Sequence, residues 1–324
     1  MKIFLTGATG FIGGHVLRRL VQDGHIVTCA IRSLGDALAI EALGAKVWLG
    51  DFHDLDRLRP ELSSCQAVIH CAAYLKLGSP NIFFDCHNVE LTRQLIIACQ
   101  LAGVSQFIYL SAASVVMQEP QAMYDCQEDL PVTNLAMLPY SRSKALAEQI
   151  VLNGTTLNMK TIVLRPAFVW GLGDAVDTQI GPAVTSKRFG WFDEGDYLYA
   201  TCYISNLCLG ILLALDSHVT REVFFIADAK PVHFRTWMTQ RLQASGFNIP
   251  SMSFSQRNAW SLAKFTENGW RYLPLPGNPP LVREMVRMMG YPFTVSCQKM
   301  RSVCGYEAIF SQEKGFEELQ KRGI

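Results

Sequence analysis

The stretch TGATGFIGG, residues 6–14, stands directly behind the apolar run KIFL and directly before a segment with helical apolar spacing. A strand, a glycine-rich turn and a helix in that order leave few folds open. Gly7 permits the tight turn, Gly10 lets backbone approach a bound anion, and Gly13 lets the helix pack close to the strand. The unpaired N–H groups at the helix start then face a phosphate. Such a unit suits the pyrophosphate of a dinucleotide, and its context of strand, turn and helix makes the glycine pattern specific.

The alternation continues. Apolar, β-rich runs follow as HIVTCAIR, KVWLGD, AVIHCAA, QFIYLSA and TIVLRPA, separated by helical patterns near 11–22, 36–43, 55–62, 83–101 and 140–152. The expected fold class is α/β, a doubly wound Rossmann-type parallel sheet with a smaller C-terminal substrate lobe. Residues 1–170 are expected to form the dinucleotide-binding domain. A helix at 205–215 and a strand at 223–226 should bring 201–230 back to it. Residues 171–200 and 231–324 are left for the smaller lobe, with helices near 234–244, 281–289 and 312–321.

The formal net charge is +1 over 324 residues, with no run of like charge. Nucleic acid and anionic lipid are therefore not expected partners, and a small-molecule substrate is. Ten cysteines lie scattered without a CxxC pair, several within apolar patterns, as reduced buried thiols do. The histidines show no ligand spacing, so no metal is expected. The chain opens on a strand with no leader pattern before it, which leads us to expect a cytoplasmic enzyme. No apolar run approaches the ~20 residues of a membrane span.

The glycines follow GxxGxxG rather than GxGxxG, which resembles the short-chain dehydrogenase/reductase superfamily; TGATGFIG resembles its extended, epimerase/dehydratase branch. The resemblance implies that Gly7, Thr9, Gly10, Phe11, Ile12 and Gly13 hold the pyrophosphate and that Asp51 and Phe52 flank the adenine. It also places Cys71, Ala72 and Ala73 beside the nucleotide, and Asn88 matches the superfamily's asparagine on the long helix.

The end of the second strand chooses the cofactor. A carboxylate there would hydrogen-bond the ribose hydroxyls, whereas a cation accommodates a 2′-phosphate. The acid's position falls on Ala30, and Arg32 and Ser33 follow. NADP(H) is expected in preference to NAD(H), with Asp36 the residue that would reverse this.

In PYSRSKALAEQ, Tyr140 and Lys144 are four apart at a helix start and share one face. Free tyrosine titrates near pH ~10. A neighbouring ammonium and an oxidised nicotinamide favour the phenolate, so Tyr140 can exchange a proton with a substrate oxygen. The placement of this YxxxK after the fifth strand of a βαβ series is where the superfamily carries its active pair, and Lys144 would also hold the nicotinamide ribose.

Extended members usually end the preceding strand with two adjacent hydroxyl residues, the second contacting the substrate oxygen. In YLSAASVV these positions are Ser111 and Ala112, so that hydroxyl is missing. If strand geometry persists, residue 114 lies on the side of 112, making Ser114 the stand-in. Ser111 after a local twist, or a weakened or redirected enzyme, are the other readings.

Residues 164–174, LRPAFVWGLGD, resemble the superfamily segment that closes over the nicotinamide, which gives Arg165 and Pro166 structural or cofactor-shaping roles. The later segments resemble the 3β-hydroxysteroid dehydrogenase-like and dihydroflavonol reductase-like subgroup. Phe168, Trp170, Phe189, Trp191, Phe192, Tyr197, Tyr199 and Tyr203 each read singly as lobe core. Together they suggest an apolar pocket, with Phe168, Trp170 and Tyr74 the named substrate contacts. Lys187 and Arg188 could bind an anionic group.

The expected activity is an NADP(H)-dependent interconversion of a secondary alcohol and a ketone on an apolar, steroid-like or cyclic substrate. The alternatives are a nucleotide-sugar epimerase or dehydratase with tightly held NAD, and a cofactor-sensing protein with a decayed site. The superfamily often dimerises through its long helices, so a homodimer is also an expectation.

Overall fold

The computed structural model describes residues 1–117, 120–132, 138–273 and 275–322. Its central sheet holds seven strands: β1 (Lys2–Thr6), β2 (Ile26–Ile31), β3 (Lys46–Leu49), β4 (Ala67–His70), β5 (Gln106–Leu110), β6 (Lys160–Pro166) and β7 (Glu222–Ile226). They lie in the order β7-β6-β5-β4-β1-β2-β3, with every neighbouring pair parallel. The strands run outward from β1 to β3 and restart at β4 on the other side of β1. A crevice therefore opens at the carboxyl ends of β1 and β4, where the direction of winding reverses.

Side chains alternate across this sheet. Phe4, Val68, Phe107 and Val163 pack with Leu58, Leu95 and Val151 on one face. Ile3, Leu5, Ile69, Ile108 and Leu164 pack with Val16, Leu20 and Leu207 on the other. Burial of both faces is why these strands read as unbroken apolar runs.

Three helices position the crevice: α1 (Phe11–Gln22), α2 (Leu91–Ala102) and α3 (Pro139–Asn153). The single helix expected at 83–101 is instead a short turn, Asn81–Phe84, a wide π-helical segment, Asp85–Glu90, and then α2. Asn88 sits in the wide segment, and such insertions often mark functional sites.

The C-terminal lobe contains a small sheet in the order Val232–His233, Leu198–Tyr199, Phe293–Val295, Met123–Cys126. Met123–Cys126 leaves the first 170 residues to pair with Phe293–Val295. Strands of two to four residues carry too little period to be read from sequence. The lobe also contains α4 (Gln256–Tyr272), which the sequence reading does not anticipate, and α5 (Arg283–Met289). The fully buried residues of α4 are Ala259 and Ala263, and Trp260 packs partly buried beside them against the core. Among the described residues no helix is long and apolar enough to cross a membrane.

Candidate active site

The phosphate loop has the geometry its glycines suggest. Gly7 adopts φ +79°, and a Cβ there would lie 2.7 Å from the Ala72 nitrogen. A Cβ on Gly13 would lie 2.0 Å from the Gly7 oxygen, so α1 packs onto the turn only without one. Gly10 is different: a Cβ there would meet only the Gly7 oxygen, at 3.4 Å, and the space before the helix is open. Among the described residues no side chain caps the N-terminus of α1. An open cradle before an uncapped helix N-terminus fits a dinucleotide pyrophosphate.

Beside this loop, His70 is fully buried, and desolvation followed by the Lys144 charge lowers its pKa to about 3. The ring is therefore neutral, and its tautomer follows from its neighbours. Thr92 Oγ1 spends its proton on the Asn88 carbonyl at 2.6 Å, so His70 Nε2 donates to Thr92 Oγ1 at 3.0 Å. His70 Nδ1 then accepts from Thr6 Oγ1 at 2.6 Å, and Thr6 Oγ1 in turn accepts the Ala72 N–H at 3.2 Å. The turn of Cys71, Ala72 and Ala73 is thus hydrogen-bonded to the end of β1.

The Asn88 side chain holds structure together. Its Oδ1 accepts the Tyr74 N–H at 2.7 Å, while its Nδ2 donates to the Tyr74 carbonyl at 3.1 Å and to Ser143 Oγ at 2.8 Å. Ser143 Oγ donates to the Tyr140 carbonyl at 2.7 Å. Asn88 therefore positions the loop after β4 against α3. At the end of β2, Ala30 is buried and Arg32 exposed, and Ser33 Oγ accepts the Gly35 N–H. Asp51 is exposed and accepts the His53 N–H, whereas the Phe52 ring is buried against Trp48 and Phe4.

Tyr140 and Lys144 open α3 beside the end of β5, and both are buried. Lys144 Nζ donates to the Leu110 carbonyl at 2.6 Å and lies 4.2 Å from the centre of the Tyr109 ring. Desolvation lowers its pKa to about 7, although the Glu148 charge opposes the shift. Burial, and then the Glu284 charge, push the Tyr140 phenol well above its usual range. Glu148 itself forms a buried ion pair with Arg165 at 2.7 Å, which gives Arg165 a structural role.

The strand geometry assumed for residue 114 does not persist. Ala112 is extended at φ −151°, but Ala113–Val116 form a 3-10 turn, so alternation cannot orient Ser114. A hydrogen bond does: Ser141 Oγ donates to Ser114 Oγ at 3.0 Å, which ties Ser114 to the residue after Tyr140. Ser111 donates its N–H to Leu164 at 2.7 Å, and its hydroxyl is buried with no partner among the described residues.

The aromatic cluster of the lobe is core. Trp170 is 0% exposed, with ring centres 4.8 Å from Tyr203, 5.0 Å from Phe316 and 5.7 Å from Trp237, and its Nε1 donates to Asp228 at 2.9 Å. Phe189, Trp191, Phe192, Tyr197, Tyr199 and Tyr203 are likewise buried, and Phe168 packs against Tyr199 and Trp237. Lys187 and Arg188 are exposed, the latter bonded to Ser186. Near Tyr140 the accessible aromatic surface comes from elsewhere: the half-buried Tyr74 stacks on the exposed Phe83 at 5.9 Å, over the fully buried Phe84, which lies 5.2 Å from Tyr74 and 6.4 Å from Tyr140. Phe83 and Phe84 carry no motif and were not legible beforehand.

Gly171 lies over the start of α1, where a Cβ would be 2.7 Å from Ile204 and 3.6 Å from Phe11. Arg241 fixes this segment by donating to the Gly171 carbonyl at 3.0 Å and to Asp174 Oδ1 at 2.8 Å.

A model of the 3-beta hydroxysteroid dehydrogenase/isomerase family matches residues 4–256. The chain belongs to that family. This member of the 3-beta hydroxysteroid dehydrogenase/isomerase family is an NAD(P)-dependent oxidoreductase of the extended short-chain type. It is 30% identical to the 4-hydroxy-2-methyl-3-oxo-4-farnesyl-3,4-dihydroquinoline-1-oxide ketoreductase of Stigmatella aurantiaca, over 100% of this chain and 97% of that protein. It is 28% identical to the decarboxylating sterol-4-alpha-carboxylate 3-dehydrogenase of Dictyostelium discoideum, over 98% and 99% of the two chains. The solved structure of MoeE5 in complex with UDP-glucuronic acid and NAD shares the fold, with a TM-score of 0.74, 21% identity and 100% of both chains covered.

Proposed function

We propose that this family member uses NADP(H) to interconvert a secondary alcohol and a ketone on a largely apolar, cyclic or steroid-like substrate. The observation that supports the reading is that Tyr140 and Lys144 share the start of α3, where Lys144 Nζ donates to Leu110 at the end of β5 and Ser141, next to Tyr140, bonds Ser114. When bound, the dinucleotide supplies or accepts the hydride.

In reduction, the Tyr140 hydroxyl gives its proton to the ketone oxygen while Ser114 donates a hydrogen bond to the same oxygen. In oxidation the tyrosine takes the proton back. Burial and Glu284 both hold the phenol protonated, so ionisation relies chiefly on positive charge brought by the oxidised cofactor, and on Lys144 in the fraction that carries its proton, its pKa being lowered to about 7. The ammonium, held at Leu110, would also hold the nicotinamide ribose. Gly7, Thr9, Gly10, Phe11, Ile12 and Gly13 would hold the pyrophosphate. Asp51 and Phe52 would flank the adenine, with Cys71, Ala72, Ala73 and Pro166 lining the cofactor.

The exposed Arg32 and the absence of a carboxylate at Ala30 support NADP(H). The farnesylated quinoline and the sterol in the relatives' names support an apolar ring system. The stacked pair of Tyr74 and Phe83 supports the same class. A homodimer would use the groove between α2 and α3, lined by Val89, Ile96, Ile97, Leu146 and Ile150.

Replacing Tyr140 by Phe tests the assignment. Turnover of an apolar ketone should fall to background while NADPH titrates as in the parent protein, and retained turnover would remove Tyr140 from the reaction.

A further inference from the structure

Helix α5 belongs to the C-terminal lobe, yet two of its side chains end at the start of α3. Glu284 accepts the Tyr140 and Ser141 N–H groups. Arg287, one turn further, donates from Nη1 to the Met117 carbonyl at 2.6 Å and from Nη2 to Ser141 Oγ at 2.7 Å. Ser141 is completely buried, and its Oγ donates to Ser114 Oγ at 3.0 Å.

Protons can be counted along this chain. A guanidinium has N–H groups only and cannot accept a hydrogen bond. Ser141 Oγ accepts from Arg287 with one of its two lone pairs, and the acceptor it finds for its single, fully buried proton among the described residues is Ser114 Oγ, so reversing the pair would leave that proton unsatisfied. Ser114 Oγ is then an acceptor on that side, and its own proton has no acceptor among the described residues.

We propose that Arg287 is a positioning residue that sets the direction of the hydroxyl chain Arg287–Ser141–Ser114, so that Ser114 presents its proton to the substrate oxygen. This rests on the reading of Ser114 as the hydroxyl that donates to that oxygen. Without a fixed donor at the far end, the two serines can reverse, with Ser114 donating to Ser141 and turning a lone pair toward the substrate. The same network makes up for Ala112: the donor comes from the turn after the strand, and its direction from the other lobe. Only hydrogen-bond direction is involved, and no proton is transferred along the chain.

The test uses the full chain with NADPH and the ketone it reduces fastest from a panel of cyclic and steroidal ketones. Parameters kcat and KM are measured for S114A, S141A, R287K, R287Q and the S114A/S141A double variant. S114A should lower kcat about a hundredfold, the scale of losing one oxyanion donor. S141A and R287Q should lower kcat by about tenfold or more with KM little changed, because glutamine can present an oxygen where arginine cannot. R287K, again a donor only, should recover most of the rate. In the S114A background, S141A should add less than about twofold, since groups that act through one another are not additive.

Wild-type kcat in S141A and R287Q, beside a slow S114A, would overturn the role of Arg287 and leave Ser114 in place. Wild-type kcat in S114A would overturn the reading of Ser114 itself. Full additivity of S114A and S141A would show a packing role and also overturn the proposal. If R287Q melts early, S141A carries the test, since it removes one oxygen atom and leaves in place the buried ion pair that Arg287 Nη2 makes with Glu284 Oε1 at 3.7 Å.

Discussion

Tyr140 and Glu284 lie 144 positions apart, and the Tyr140 N–H donates to Glu284 Oε2 at 2.9 Å while the Ser141 N–H donates to Oε1 at 2.7 Å. One carboxylate thus satisfies two of the unpaired donors at the start of α3 and places a negative charge at the positive end of the helix. The Tyr140 carbonyl accepts from Ser143 Oγ, so its backbone is held at both ends. Positioning comes with an electrostatic cost, because the same carboxylate raises the phenol's pKa.

Glu284→Gln removes that charge. In the proposed mechanism alcohol oxidation needs the phenolate, so its rate should rise as pH passes through the Tyr140 pKa. Taking away a negative neighbour lowers that pKa, and the rising limb of kcat/KM should move to lower pH. The lost cap should cost about 1–2 kcal/mol in urea unfolding. An unmoved or higher limb would contradict the placement of the charge.

Lys144 gives a stability signature in the absence of cofactor. Its pKa is 10.5 when unperturbed and about 7 when folded, so between these values the unfolded chain binds one more proton than the native one. Stability from this group therefore rises with pH across that window and is absent below it. Four thiols, Cys29, Cys71, Cys208 and Cys297, are pushed up by desolvation to about 12 and act oppositely at higher pH. Between roughly pH 7 and 8.5, Lys144→Met should flatten the rise in melting temperature. An unchanged slope would mean that the lysine is charged in the folded protein.

Gly10 and Gly13 should separate folding from binding. Gly13→Ala drives a methyl into the Gly7 carbonyl at 2.0 Å and should lower both stability and NADPH affinity. Gly10→Ala meets only that same oxygen, at 3.4 Å, so its melting temperature should hold while affinity falls. Equal losses of stability in the two variants would show that the open space at Gly10 is not reserved for a ligand.

Arg32→Ala should raise the Kd for NADPH tenfold or more, about 1.4 kcal/mol, and leave that for NADH nearly unchanged. Fluorescence titration of both nucleotides decides it. An equal effect on the two would make Arg32 a general surface charge.

What could be read from the sequence was what is local in it. The strand, turn and helix of residues 2–22 announce themselves through adjacent glycines, and Tyr140 and Lys144 through their spacing on one helix. Continuous apolar runs betrayed β1, β2 and β4 to β7 because both faces of the sheet are covered. The partners of Tyr140 were hidden for the opposite reason: in VREMVR, Glu284 and Arg287 look like the solvated face of a helix, and only the fold buries them. Trp170 misled because an aromatic side chain filling a core and one lining a cleft have the same sequence appearance. Strand alternation points to Ser114 but ends before it, and its link to Ser141 has a different physical cause.

The pairing of Met123–Cys126 with Phe293–Val295 limits how this enzyme can be recombined. A chimera joined near residue 170 would leave one edge strand in the recipient and its partner in the donor. The same cut would divide Tyr140 from Glu284. Exchange of substrate lobes between relatives has to carry at least residues 123–126 and the start of α3 along with α5. The backbone around Tyr140 and the helix that holds it are inherited as one unit here, and a graft that respects only the boundary of the nucleotide fold would separate them.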